Sequence, residues 1–190
     1  MRSARLIQVL LPLFLVMLLF GAGCSGKHEL VKGAPDWVNE GSGAFEDAGD
    51  KVFYGVGSVT GVQSLSLSRE TAEQRARAEV ARQLHSYVTS LYRDYQVATG
   101  IGQGKAPLEE QHIDGTLKNL SQVTVRGAKV IEFWREPKTD TLYALARTDL
   151  TAMKSAIAEM REVDPQFRDY VNLHAEEAFT NLDQQAKEVR

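Results

Sequence analysis

One thiol, four imidazoles and two pairs of adjacent glutamates are the groups in this sequence that could do chemistry. The thiol is Cys24, the only cysteine, and the imidazoles are His28, His85, His112 and His174. No two histidines lie within metal-ligand spacing of each other, so no local pair is set up to hold a metal. His85 and His174 fall on or near helical apolar stripes, and we read them as core residues. The acid pairs are Glu109-Glu110 and Glu176-Glu177. Neighbours on a helix point about 100° apart, so neither pair converges as a general acid and base. The glycines of Gly55-x-Gly57-x-x-x-Gly61 follow a strand and lead to a helix, as in a dinucleotide-binding turn. Their spacing is off, and no second parallel strand follows to carry a ribose-binding acid. A Gly-x-Ser-x-Gly elbow is absent. No residue is nominated for catalysis, and we expect no enzyme activity, no metal and no dissociable cofactor.

Cys24 has a different chemistry available, set by what precedes it. Arg2 and Arg5 give a positive start. Leu6 to Phe20 is an apolar run in which only Gln8 is polar, and Gly21-Ala22-Gly23 then lead to the cysteine. This pattern describes a secretory signal over residues 1–23. The run is shorter than the ~20 residues that a membrane span needs, and Pro12 interrupts it. The small residues before Cys24 resemble the lipobox of bacterial lipoproteins. That resemblance implies cleavage before Cys24 and lipid attached to it. Each buried CH₂ contributes ~0.8 kcal/mol, so several acyl chains anchor firmly. Ser25 follows the cysteine, where Asp would signal retention in the inner membrane. By that resemblance we expect an outer-membrane anchor facing the periplasm.

Removing residues 1–23 leaves 167 residues, enough for one domain with its own core. Of the 22 basic residues the leader holds Arg2 and Arg5, and it holds no acid. The remainder has 20 basic and 25 acidic residues, a net charge of −5. A net-acidic chain without a basic block is a poor nucleic-acid ligand. With Cys24 lipidated, no thiol remains for a disulfide, so folding rests on packing.

Residues 24–51 are punctuated by glycines and polar residues and read as a tether, with the domain at 52–190. Trp37 stands out in that tether: a large indole there either docks on the domain or meets a partner. Val52–Val59 reads as a strand whose glycines let a neighbour approach closely. A long helix follows over about 68–98, with Ser68 as N-cap. Its stripe is Ala72, Ala76, Val80, Leu84, Tyr87 or Val88, Leu91 and Tyr95. A weaker helix is expected over about 107–120. Val123–Trp134 and Thr141–Arg147 read as a hairpin, with Gly127 as a bulge. Asp149 caps a helix over 150–162, and Asp164-Pro165 starts another that runs to about 188. This order predicts an α+β fold: a three-stranded, largely antiparallel sheet packed on one long helix, with C-terminal helices.

Pro35-Asp36-Trp37-Val38, Phe53-Tyr54-Gly55-Val56-Gly57 and Ala72-x-x-x-Ala76-x-Ala78-Glu79-Val80-Ala81 resemble the LPP-twenty lipoproteins. The resemblance covers about residues 35–150. It implies an outer-membrane-anchored protein with a helix-on-sheet domain, related to flagellar basal-disc and outer-membrane-ring lipoproteins. The function it implies is structural: self-association, or contact with envelope proteins in a flagellar or wall-associated assembly. Trp37, Phe167 and Tyr170 are the candidate interaction residues. A competing expectation is a periplasmic assembly factor that grips a client through the C-terminal helices. An envelope hydrolase is a third, motivated by location alone.

Overall fold

A computed structural model gives the fold and describes residues 29–100, 119, 127–161 and 163–188. The leader, Cys24, His28, the expected helix over 107–120 with His112, and Glu109-Glu110 lie outside the described residues. The elements are α1 (Asp36–Glu40), β1 (Gly43–Asp47), β2 (Asp50–Val59), α2 (Leu65–Thr99), β3 (Lys129–Arg135), β4 (Leu142–Asp149), α3 (Leu150–Glu159) and α4 (Pro165–Glu188). Among the described residues, no helix is long and apolar enough to cross a membrane.

The fold is α+β, but its antiparallel sheet has four strands, in the order β1-β2-β4-β3. The additional strand is β1, in the segment that the sequence suggested was tether. Asp47 pairs with Asp50 across a two-residue turn. Both turn residues, Ala48 (φ 50°) and Gly49 (φ 88°), are left-handed, the geometry that matches the twist of a tight hairpin. Ala48 pays for this, because its Cβ crowds the following carbonyl in that conformation. The β3–β4 hairpin forms as expected, with Phe133 opposite Ala144 and Trp134 opposite Tyr143. Its irregularity falls between Val130 and Glu132 rather than at Gly127, which precedes the strand.

One face of the sheet receives α2. A Cβ on Gly55 would fall on the Ala76 carbonyl and the Val80 amide, and one on Gly57 on the backbone of Ala72 and Ala76. Bare backbone in β2 and alanine in α2 therefore let helix and strand touch main chain to main chain. Ala144 and Ala146 of β4 continue the small surface, since they pair with Gly57 and Gly55. The helix begins earlier than Ser68 predicted. Ser64 is the cap, accepting from the Leu67 amide at 3.4 Å, while Ser68 is buried and donates to the Leu65 carbonyl at 3.0 Å. Gly100, left-handed at φ 68°, ends it.

At ~1.5 Å per residue, the 35-residue helix is about 52 Å long and extends well past the sheet. Its second half is covered by α4. Phe53 of β2, Tyr87 of α2 and Phe179 of α4 meet with ring centroids 5.1–6.3 Å apart. The Tyr87 hydroxyl donates to the Ala175 carbonyl, and burial, with Glu176 beside it, holds that phenol in its neutral form. The caps of the last two helices are those expected. Asp149 accepts from the Ala152 amide at 2.6 Å, and Asp164 from the Gln166 amide at 2.6 Å. α3 ends at Glu159, before the expected 162. His85 and His174 are both exposed, so the reading of them as core residues is corrected: each lies beside its helix's buried stripe, not within it.

Candidate functional site

The opposite face of the sheet is built differently. Side chains alternate along a strand, so with Gly55 and Gly57 turned to α2, Tyr54 and Val56 face away from it. The register puts Gly43 and Arg147 beside Tyr54, and Leu145 beside Val56. These side chains are half-buried apart from Leu145, which is buried. Val38, Val52 and Leu145 are buried too, yet stand outside the main core.

α1 borders this second face. Five residues do not hold a helix by themselves. Here Pro35 starts the turn, its carbonyl accepting from the Val38 amide at 3.0 Å, and the Gly41 amide closes it on the Trp37 carbonyl at 3.0 Å. Gly41 then adopts φ 76° and ψ −161°, a region open essentially to glycine alone, and turns the chain into β1. Trp37 is half-buried, and its Nε1 is buried with no hydrogen-bond partner among the described residues. An indole N–H left in that state costs roughly 1–3 kcal/mol.

Trp37 lines a cleft of about 430 Å³ between α1 and this face. That volume is within the range of ligand sites, ~300–1,000 Å³. Phe45 and Tyr54 add aromatic walls, their ring centroids 6.0 Å apart, and Ile131 and Leu145 add aliphatic surface. The rest is acidic: Asp36, Glu40, Glu46, Asp47 and Asp183. None of the described lining residues is basic. The Tyr54 hydroxyl donates to Asp47 Oδ2 at 2.6 Å. Burial, and after it that bond and the Asp47 charge, push the Tyr54 phenol up to about 12. Tyr54 therefore stays a donor, and its bond orients the Asp47 side chain.

A second depression, about 470 Å³, runs between α2 and α4. Tyr170 lies here, stacked on His174 at 4.2 Å, with Asp94 and Glu177 nearby. Burial, then those two carboxylates, raise the Tyr170 phenol above its ordinary value.

The three candidate interaction residues thus separate. Trp37 belongs to the acidic cleft and Tyr170 to the interhelical groove. Phe167 faces the core, buried against Tyr92 and Tyr95 at 5.1 and 5.5 Å. Phe45, Glu46, Asp47 and Tyr54 were missed, because their shared site depends on β1 pairing with β2. The alternation Ala44-Phe45-Glu46 before Asp-Ala-Gly-Asp was the available signal. Gly55 and Gly57 are occupied by helix packing, and β2 pairs antiparallel with both neighbours, so the arrangement is not a dinucleotide turn. Among the described residues, no group of three or more His, Cys, Asp or Glu side chains is placed to hold a metal ion. A scan against models of known protein families finds no match to this chain, and a search of curated proteins finds none either.

Proposed function

We propose that this chain is an outer-membrane lipoprotein, anchored by lipid on Cys24, whose α+β domain makes a structural contact with another envelope protein through the Trp37 cleft. The observation that carries the anchoring is the run of small residues before the only cysteine, directly after an apolar segment. The observation that supports the contact is an open cleft with aromatic walls on a sheet face that α2 leaves free. Aromatic side chains in such positions are favoured anchors for partners. Only eleven residues carry the chain from Cys24 to Pro35, a reach of at most about 40 Å, so an anchored chain keeps its cleft near the bilayer. The likeness to the LPP-twenty lipoproteins supports the same reading, since its segments include Trp37 and the Gly55–Ala76 contact. A flagellar or wall-associated assembly, or a second copy of the chain, is the partner that likeness suggests.

The client-gripping alternative drew its motive from an apolar stripe in the C-terminal helix. Phe167, Val171, Ala175 and Phe179 of that stripe are buried in the domain core, which weighs against it.

The test is photocrosslinking in cells, with the photoreactive residue placed at Trp37 in one strain and at exposed Leu173 in another, in the full-length lipoprotein. A discrete envelope adduct from position 37, lost when Cys24→Ala blocks anchoring, is expected. Equal or absent adducts from the two positions would remove the cleft as the contact.

A further inference from the structure

We propose that residues 35–47, α1 with β1, form an arm that exchanges between two copies of this chain, β1 of each copy pairing with β2 of the other. The exchange does not depend on what occupies the Trp37 cleft. The hinge carries the argument. β1 lies at the edge of the described sheet, where β2 is its only neighbour. Only Ala48 and Gly49 join the two strands. Gly49 takes its left-handed conformation freely, but Ala48 at φ 50° does not, and a turn of this type ordinarily has Asn, Asp or Gly at that position. A short hinge under strain favours exchange, because straightening it returns Ala48 to extended backbone open to any side chain.

The register makes the exchanged form continuous. β1 and β2 pair from Gly43 opposite Tyr54 to Asp47 opposite Asp50. Continuing that register by one step sets Ala48 of each copy opposite Gly49 of the other, across a two-fold axis. No bulge or slip is needed, and the two hinge residues join the ladder.

The contacts that seat the arm re-form between the copies. The Val56 amide donates to Ser42 Oγ at 2.9 Å, the Tyr54 hydroxyl donates to Asp47 at 2.6 Å, and Phe45 lies against the Tyr54 ring. Each would join the arm of one copy to the sheet of the other. Release of the arm is eased at Trp37, whose buried Nε1 has no partner among the described residues and regains water when the arm opens. Opposing the exchange are the entropy of association and the repulsion between two Asp47–Asp50 pairs brought to one axis. Asp47 and Asp50 are three residues apart, so the pairs stand ~10 Å from each other along the ribbon, a separation that ~0.1 M salt screens.

The test uses two full-length chains with different tags, co-expressed in one cell and oxidised with copper-phenanthroline. One carries Glu46→Cys and the other Lys51→Cys, positions that face each other across β1 and β2. A disulfide between the two tags then reports the exchange. Glu46→Cys with Leu173→Cys, exposed on α4, measures chance collision, and the unsubstituted chains measure any background from Cys24. The first pair should give several-fold more disulfide than either control. Ala48→Gly in both chains removes the strain at both hinges and should lower that yield about tenfold. A yield no higher than the controls, or one that Ala48→Gly leaves unchanged, overturns the proposal. Deleting Ala48 and Gly49 removes the turn, so that variant should fold only as the exchanged pair. A folded monomer from it would also overturn the proposal.

Discussion

On the α2 side of the sheet, Gly55 and Gly57 leave no room for a methyl group; on the other side, Phe45, Tyr54 and Leu145 border a cleft of about 430 Å³. The same strand supplies both surfaces, residue by residue in alternation. On the first, side chains have been reduced so that backbones meet, and little there can change without moving main chain. On the second, large aromatic rings are half-buried and acids rim them, so substitutions alter what the surface can hold more than whether the sheet forms. In this domain close backbone packing and an open aromatic cleft are divided between two faces of one sheet, and each should respond to mutation in its own way.

The largest difference should come from the core that joins β2, α2 and α4. Phe179→Ala removes a ring packed on Phe53 and Tyr87 and should cost about 3–5 kcal/mol in denaturant unfolding. Leu173→Ala, on the exposed side of the same helix, should stay within about 0.5 kcal/mol. Equal losses from the two would mean that α4 does not complete the core.

Gly57→Ala comes next. Its methyl would meet the backbone of Ala72 and Ala76, which has no rotamer through which to yield, and a loss of about 3 kcal/mol is expected. A melting temperature unchanged from the native chain would show that α2 does not sit against β2 as described.

Trp37→Phe probes the second face. It keeps most of the ring and deletes a buried donor with no partner among the described residues, so stability should hold or rise by up to about 1 kcal/mol. A clear destabilisation would instead mean that the indole N–H is satisfied in the fold and that Trp37 serves packing.

The smallest effect is expected at the β1–β2 turn. Ala48→Gly relieves a left-handed alanine at φ 50°, and a gain of about 0.5–1 kcal/mol should appear in thermal unfolding. A loss there would argue that the turn has another geometry.

Much of the packing face was legible in the sequence. The stripe from Ala72 to Tyr95 has helical period, the glycines of β2 announced a close neighbour, and Asp149 and Asp164 sat where caps belong. Each signal is local, because a helix period or a cap is written within a few residues. The β3–β4 pairing was legible for the same reason, with Pro137 and Asp140 in the short turn between its strands. The fourth strand was not. β1 has only Ala44 and Phe45 as apolar residues, and its turn lacks the Asn-Gly or Asp-Gly that usually marks a tight hairpin. The histidines show another limit. His85 and His174 each lie one residue from a buried stripe position, Leu84 and Ala175, and a shift of one residue turns a helical side chain by about 100°.

Sequence alone determined the helix-on-sheet class and the small-residue contact, since composition and short-range spacing suffice for these. The cleft was decided only by tertiary structure. It needs the β1–β2 register to set Asp47 beside Tyr54, the β2–β4 register to bring Leu145 to the same face, and the left-handed turn at Gly41 to lead from α1 into β1. Nothing in the spacing of those residues records their meeting, because long-range pairing is a property of the whole sheet and not of any one segment.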